Sequence, residues 1–258
     1  MLATPEQEMI ARAFLAARAE KTPLTLYPGA MPATLADAYA IQSAAIGLDG
    51  RRVGGWKVGR VAPELVARYG IDRIAGPIFA DEIAADGAVM PVYADGFAAA
   101  EAEVLLCLGD VGACDHDIRS VRDCITEVRT GIEIASSPFP DINRHGPAVT
   151  ASDYGNNKGL VLGPQIPDWR DRELITMPVE MTIDGAVVGQ ATMETMLDGP
   201  FGSALFLIRS LRARGIAIAP GTWVSAGAVT GVHEISVGQR AEALFDGKVR
   251  VGCAITGY

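Results

Sequence analysis

The chain has 258 residues, 49% of them hydrophobic, and a formal net charge of −9 at pH 7. This is a globular composition, long enough for one large domain with a sizeable core or for a small N-terminal unit and a main body. The acidic balance argues against a nucleic-acid groove and against an anionic membrane surface, both of which need clustered lysine and arginine; a small anionic substrate would need a local cation.

The start, Met1 to Glu8, lacks a basic n-region and an apolar h-region, and no apolar run approaches the roughly 20 residues of a membrane span, which points to the cytoplasm. Cys107, Cys114, Cys124 and Cys253 include no C-x-x-C pair, and His116, His145 and His233 are scattered, so neither zinc nor a disulfide framework is expected. From Pro5 to about Lys21, Met9, Ile10, Ala13, Phe14 and Ala17 have helical spacing, and Thr22-Pro23 is a stop signal. A second helix is predicted from about Thr34 to Leu48, with Thr34 as cap and Asp37 three residues on. Residues 1–50 thus read as a helical cap on a body spanning 51–258.

The body opens with Val53 to Arg60, a short strand with Lys57 embedded among glycine, tryptophan and valine. Burying an ammonium is costly and depresses its pKa, so Lys57 is a candidate acid or base; the alternative is a stem packed on apolar neighbours with its head in water. A short helix follows between Glu64 and Glu82, then a turn and brief strand at Gly76-Pro77-Ile78-Phe79, before Ala88 to Val92 leads on.

Ala100 to Gly109 is the stretch that organises the rest. Glu101 and Glu103 open an apolar run, and side chains at i and i+2 of a strand share a face. Enclosed carboxylates that close together repel unless a cation or protons neutralise them, and a hard divalent metal is the simplest answer; the alternative is a solvated entrance to a buried strand. After a helix around Asp117 to Thr126, the strand Val128 to Ala135 carries a third such acid, Glu133, and the oxygen-only set suits Mg2+ or Mn2+.

Ser136 to Lys158 is polar and turn-rich, and a loop of that length is usually functional or mobile. Arg144 or His145 within it could meet a substrate carboxylate, or each could be an exposed loop charge, and Asp153 lies further along. Gly159 to Gly163 reads as a buried strand. Asp184-Gly185 joins a hairpin of Val179 to Ile183 and Ala186 to Thr192. A helix runs from Gly199-Pro200 to Arg214-Gly215, and a strand from Thr222 enters the small-residue turn Gly227 to Thr230, where backbone can approach a ligand. Closing strands are expected at Arg240 to Phe245 and Lys248 to Ile255. Many short strands and few helices indicate an α+β, β-rich architecture with a mixed, rolled sheet. Phe79, Phe139 and Tyr154 read first as core or loop packing, with shaping the pocket for a substrate's tail as the other reading.

Taken in order, Ala38-Tyr39-Ala40-Ile41-Gln42, Gly55-Trp56-Lys57-Val58-Gly59, Glu101-Ala102-Glu103-Val104, Ile132-Glu133-Ile134, Gly159 to Gly163 and the Gly227 turn resemble the 2-keto-4-pentenoate hydratase and 2-oxo-3-hexenedioate decarboxylase group of the fumarylacetoacetate hydrolase superfamily. The resemblance covers nearly the whole chain. It implies a fold of that superfamily's type and a Mg2+ or Mn2+ held by Glu101, Glu103 and Glu133. It also implies an active-site lysine at Lys57 and a turn, Gly227 to Thr230, near the substrate's carboxylate; Arg144 and Asp153 complete the candidate substrate-binding set. The chain departs from the group's pattern at Ala75, where an aspartate is common, at Ala98-Ala99 in place of Pro-Arg, and at Tyr154 in place of asparagine.

The reaction so implied is hydration of 2-hydroxypenta-2,4-dienoate, or a close analogue, to a 4-hydroxy-2-oxo acid in aromatic-compound catabolism. Alternatives are a decarboxylase of the 2-oxo-3-hexenedioate type, then an acylpyruvate hydrolase, or a non-catalytic partner subunit. A homo-oligomer is expected, with association with a pathway enzyme as a further option.

Overall fold

The computed structural model describes residues 3–112 and 114–258; Met1 and Leu2, the first residues of the opening stretch, lie outside them. The chain begins with α1 (Pro5–Glu20), where the Thr4 side chain and Gln7 cap each other's backbone, and α2 (Leu35–Asp49), capped by the Thr34 hydroxyl and closed by Gly50 in the left-handed region. Ile10 and Phe14 of α1 meet Ile41 and Ala45 of α2 and pack with Phe79, Phe139, Ile142 and Tyr154. The cap helices are therefore fastened to the body through an aromatic cluster.

The body continues through β1 (Val53–Arg60), α3 (Pro63–Tyr69), β2 (Arg73–Phe79), β3 (Ile83–Ala85), β4 (Val89–Val92) and β5 (Phe97–Leu108). Next come α4 (Ile118–Cys124), β6 (Ile125–Ser137), α5 (Pro147–Ser152), β7 (Asn157–Gln165), β8 (Pro178–Ile183) and β9 (Ala186–Thr192). The chain closes with α6 (Gly199–Ala213), β10 (Trp223–Ser225), β11 (His233–Glu234), β12 (Arg240–Phe245) and β13 (Val249–Gly257). One mixed sheet runs β2-β1-β10-β5-β6-β7-β3, with β11 attached to β5, and a second runs β4-β13-β12-β8-β9. This is the β-rich, mixed architecture expected.

The alternation along β5 explains how the sheet divides the molecule. Ala100, Ala102, Val104, Leu106 and Leu108 point into the main core, with Met181, Ala243 and Val251 of the second sheet and Leu207, Ile208 and Leu211 of α6. Glu101, Glu103 and Leu105 point the other way, and Leu105 packs with Ile78 and Leu160. Both faces of this central strand are covered, so its two acids are enclosed rather than solvated.

Several expectations change. Gly76 to Phe79 belongs to a continuous strand, and Pro77 is tolerated because β2 is the end strand of its sheet. The stretch from Ser136 to Lys158 is not a simple loop: it contains α5, a short 3-10 turn at Tyr154–Asn156 and the start of β7. The Cys114 and Cys124 side chains lie against each other, with Cα atoms 6.3 Å apart, a proximity not expected from their spacing. The Gly109 N–H donates to the Cys124 carbonyl and folds the end of α4 back beside the end of β5. Cys107 and Cys253 are free.

Candidate active site

Strand register assembles the site. Antiparallel pairing of β5 with β6 sets Glu133 directly across from Glu101, and Gly131 across from Glu103. On the other side of β5 lies β10, and beyond it β1, where Lys57 is the partner of Ser225. Glu101, Glu103, Glu133 and Lys57 are all buried. Ligand oxygens from the three carboxylates lie within 4.8 Å of one another.

Each of two carboxylates has one oxygen held and one free. Glu103 Oε2 accepts from Ser225 Oγ at 2.5 Å and from the Gly227 N–H at 2.9 Å. Glu133 Oε1 accepts from Asn157 Nδ2 at 3.0 Å and lies 3.1 Å from Lys57 Nζ. Glu103 Oε1 and Glu133 Oε2 are buried without a hydrogen-bond partner. Buried acceptors are nearly always satisfied, so two such oxygens side by side indicate a site built for something further.

The electrostatics agree. Burial pushes the Glu101 carboxyl up to about 7, against the pull of Lys57. Burial, followed by Glu133 and Glu101, raises Glu103 well above the carboxylate range. For Lys57, burial acts downward, but Glu133, Glu101 and Glu103 outweigh it and hold the ammonium above the ordinary lysine range. In the metal-free set three acids crowd one cation, so the lysine pKa moves against the direction that burial alone gives. Three carboxylates against one ammonium, with free oxygens pointing inward, fit a hard divalent cation such as Mg2+ or Mn2+.

The set opens on a cavity of about 880 Å³ whose wall includes Lys57, Glu101, Arg73, Asn156, Gly227 and Thr230. Gly227 has φ of 114°, and a Cβ there would lie 3.2 Å from the Val58 carbonyl oxygen, so the turn needs glycine to pass beside β1. Thr230 Oγ1 is hydrogen-bonded to His233 Nε2 at 3.1 Å.

Other sequence candidates lie elsewhere. Arg144 has a side chain 79% exposed, pairs with Asp141 and does not line the cavity. His145 stacks on Phe139. Asp153 is buried off the cavity wall, with Arg18 Nε at 2.7 Å and Ser137 Oγ at 2.7 Å. Phe79, Phe139 and Tyr154 form the core beneath the cap helices, not the cavity wall, because their segments turn inward toward α1 and α2. Ala75 sits across from Val58 and packs with it and Trp56 on the face of the sheet away from Lys57. The sequence argument missed Ser225, Asn157 and the cavity residue Asn156. An asparagine pair immediately before a buried strand was the available signal for the latter two; nothing local marks Ser225.

No protein-family model matches the chain. The chain is similar to the 2-keto-4-pentenoate hydratase of Burkholderia vietnamiensis, 27% identical over 224 residues that cover 85% of each sequence. It is also similar to 2-keto-4-pentenoate hydratase 1 of Dechloromonas aromatica, 26% identical with 81% of each covered. Its fold matches that of 4-oxalocrotonate decarboxylase from Pseudomonas putida, complexed with magnesium and adipate, with a TM-score of 0.83 at 21% identity over 99% of both chains. It is similar, with a TM-score of 0.60 and 16% identity, to fumarylpyruvate hydrolase from Pseudomonas aeruginosa in complex with Mn2+ and pyruvate, covering 81% of this chain and 91% of the other.

Proposed function

We propose that the chain is a member of the fumarylacetoacetate hydrolase superfamily and a metal-dependent hydro-lyase that converts 2-hydroxypenta-2,4-dienoate or a close analogue to a 4-hydroxy-2-oxo acid. The observation that carries this reading is the buried Glu101, Glu103, Glu133 and Lys57 set, with two unpaired carboxylate oxygens, at the floor of a cavity large enough for a small acid. The three glutamates would hold Mg2+ or Mn2+. When bound, the ion supplies charge stabilisation for the oxygen that becomes negative beside the carboxylate of a 2-oxo acid.

The chain's own groups account for the rest. Among the described residues Lys57 is the one cation paired with these acids, its Nζ 3.1 Å from Glu133 Oε1. That places a proton carrier at the cavity floor, where ketonisation of a dienol requires one proton to leave oxygen and one to reach carbon. Water then adds across the remaining conjugated double bond, its hydroxyl going to C4 and its proton to the neighbouring carbon. The backbone turn from Gly227 to Thr230 and the Thr230 hydroxyl line the cavity and would receive the substrate's carboxylate. Arg144 and Asp153 take no part in this reading.

A decarboxylase acting on a 2-oxo-3-hexenedioate would use the same floor, and Arg60 on the cavity wall favours it, since a second carboxylate needs a cation; Arg73, also on the wall, is already paired with Asp72 and Asp198. Among the described residues no helix is long and apolar enough to cross a membrane. Self-association also belongs to this reading: β9 is an end strand with Val187 and Val188 exposed, and sedimentation of the purified chain tests it. The reaction is tested by NMR of the product formed from 2-hydroxypenta-2,4-dienoate by metal-stripped protein, with and without Mg2+. A metal-dependent 4-hydroxy-2-oxopentanoate signal is expected; no such product with metal present contradicts the hydratase reading.

A further inference from the structure

We propose that Ser225 and Asn157 are positioning residues that fix which oxygen of Glu103 and of Glu133 faces the metal, and thereby set the preference of the site for a small divalent ion over a large one. The inference rests on the metal reading above and concerns groups that touch the ligands rather than the substrate.

A free carboxylate can offer either oxygen, or both, to a cation. Here the choice is made beforehand. Ser225 Oγ and the Gly227 N–H both donate to Glu103 Oε2, leaving Oε1 as the unpaired buried oxygen. Asn157 Nδ2 donates to Glu133 Oε1, as does Lys57, leaving Oε2 unpaired. The two tethers reach the acids from the two flanks of the β5–β6 pair, β10 and the start of β7. Asn157 is itself fixed, because its Nδ2 also lies 3.4 Å from the Gly159 carbonyl oxygen and its backbone carbonyl accepts from Arg18. Glu101 is the one of the three that lines the cavity.

One oxygen from each tethered acid is what a compact ion needs. Mg2+ demands near-octahedral geometry at about 2.0–2.1 Å and tolerates little ligand disorder, whereas Ca2+ accepts carboxylates through one oxygen or two at about 2.3–2.6 Å. A tether that forbids two-oxygen binding therefore favours Mg2+, and its loss should cost Mg2+ more than Ca2+. Outer partners of metal ligands typically contribute roughly 10- to 100-fold in affinity.

The test is calorimetric titration of Mg2+ and of Ca2+ into metal-stripped wild-type protein and into Ser225→Ala, Asn157→Ala and Ser225→Thr, each checked for cooperative unfolding. Each alanine variant is expected to lose about 10-fold or more in Mg2+ affinity and less in Ca2+ affinity, and Ser225→Thr, which keeps the hydroxyl, to recover the wild-type ratio. If one alanine variant does not fold, the other decides. Folded alanine variants with the wild-type ratio of Mg2+ to Ca2+ affinity overturn the proposal while leaving the metal reading intact. A wild-type chain that takes up neither ion overturns the metal reading and the proposal with it.

Discussion

Two buried clusters of charge adjoin β6 and the start of β7, and they are built to opposite plans. In the first, Asp153 is fully satisfied: Arg18 donates to both of its oxygens, Ser137 Oγ donates to Oδ2, and the remaining Arg18 donors reach the Ser136 and Asn157 carbonyls. In the second, Glu101, Glu103 and Glu133 face one ammonium, and two oxygens are left without partners. The first cluster ties α1 to the body. The second stays electrostatically incomplete until a cation arrives. Burial and charge alone do not separate a structural ion pair from a reactive site; the count of unsatisfied atoms does.

The comparison is broken most severely by removing one side of the satisfied pair. Asp153→Ala leaves Arg18 buried without its carboxylate and is expected to cost about 3–5 kcal/mol in chemical denaturation, whereas Arg18→Met with Asp153→Leu should recover much of that loss. A double variant as unstable as the single one would show that the pair does more than neutralise itself. In the second cluster, Lys57→Ala removes the proton carrier and should lower turnover roughly 100- to 10,000-fold, with divalent-ion affinity by calorimetry retained. Unchanged turnover would remove Lys57 from the chemistry.

A smaller effect concerns pH. The folded pKa of Glu101 is raised, from an ordinary 4.5 to about 7, so its contribution to stability is present below the unfolded value and lost as pH rises between those two values. Lys57 is held upward and titrates above this window, and Asp49, held downward, titrates below it. His233 is lowered by burial and tilts stability the other way near its ordinary 6.5. Glu103 is raised from the same ordinary value, partly by Glu101, and loses stability in the same direction, so the difference between wild type and Glu101→Gln reports Glu101 together with its effect on Glu103: metal-free wild type should lose stability relative to the variant between pH 5 and pH 7.5 on thermal melts. Parallel melting curves across that range would contradict the assignment. The smallest effect belongs to Arg144→Ala, a surface pair with Asp141, which should change stability by no more than about 0.5 kcal/mol and leave turnover unaltered.

How far the sequence reached follows from the range of each interaction. Glu101 and Glu103 were legible because strand periodicity alone puts them on one face, and Glu133 because an acid in an apolar run is conspicuous. Lys57 stood out for the same reason, but the direction of its pKa did not follow, since that depends on acids from two other strands. Ser225 is 122 residues from the carboxylate that it holds, and no local pattern connects them. Tyr154 was legible as an aromatic suited to core packing, but not the turn that puts it there: Tyr154, Gly155 and Asn156 all take positive φ, and that left-handed turn points the tyrosine at Phe79 and leaves Asn156 on the cavity wall.

The central claim is that the unpaired oxygens of the second cluster are metal ligands, and the most direct measurement is an anomalous-scattering map from crystals of the chain soaked in Mn2+. The account predicts a single strong peak among Glu101, Glu103 and Glu133, bounded by Glu103 Oε1 and Glu133 Oε2. A map with no peak there, under conditions in which Mn2+ is present in excess, would contradict it.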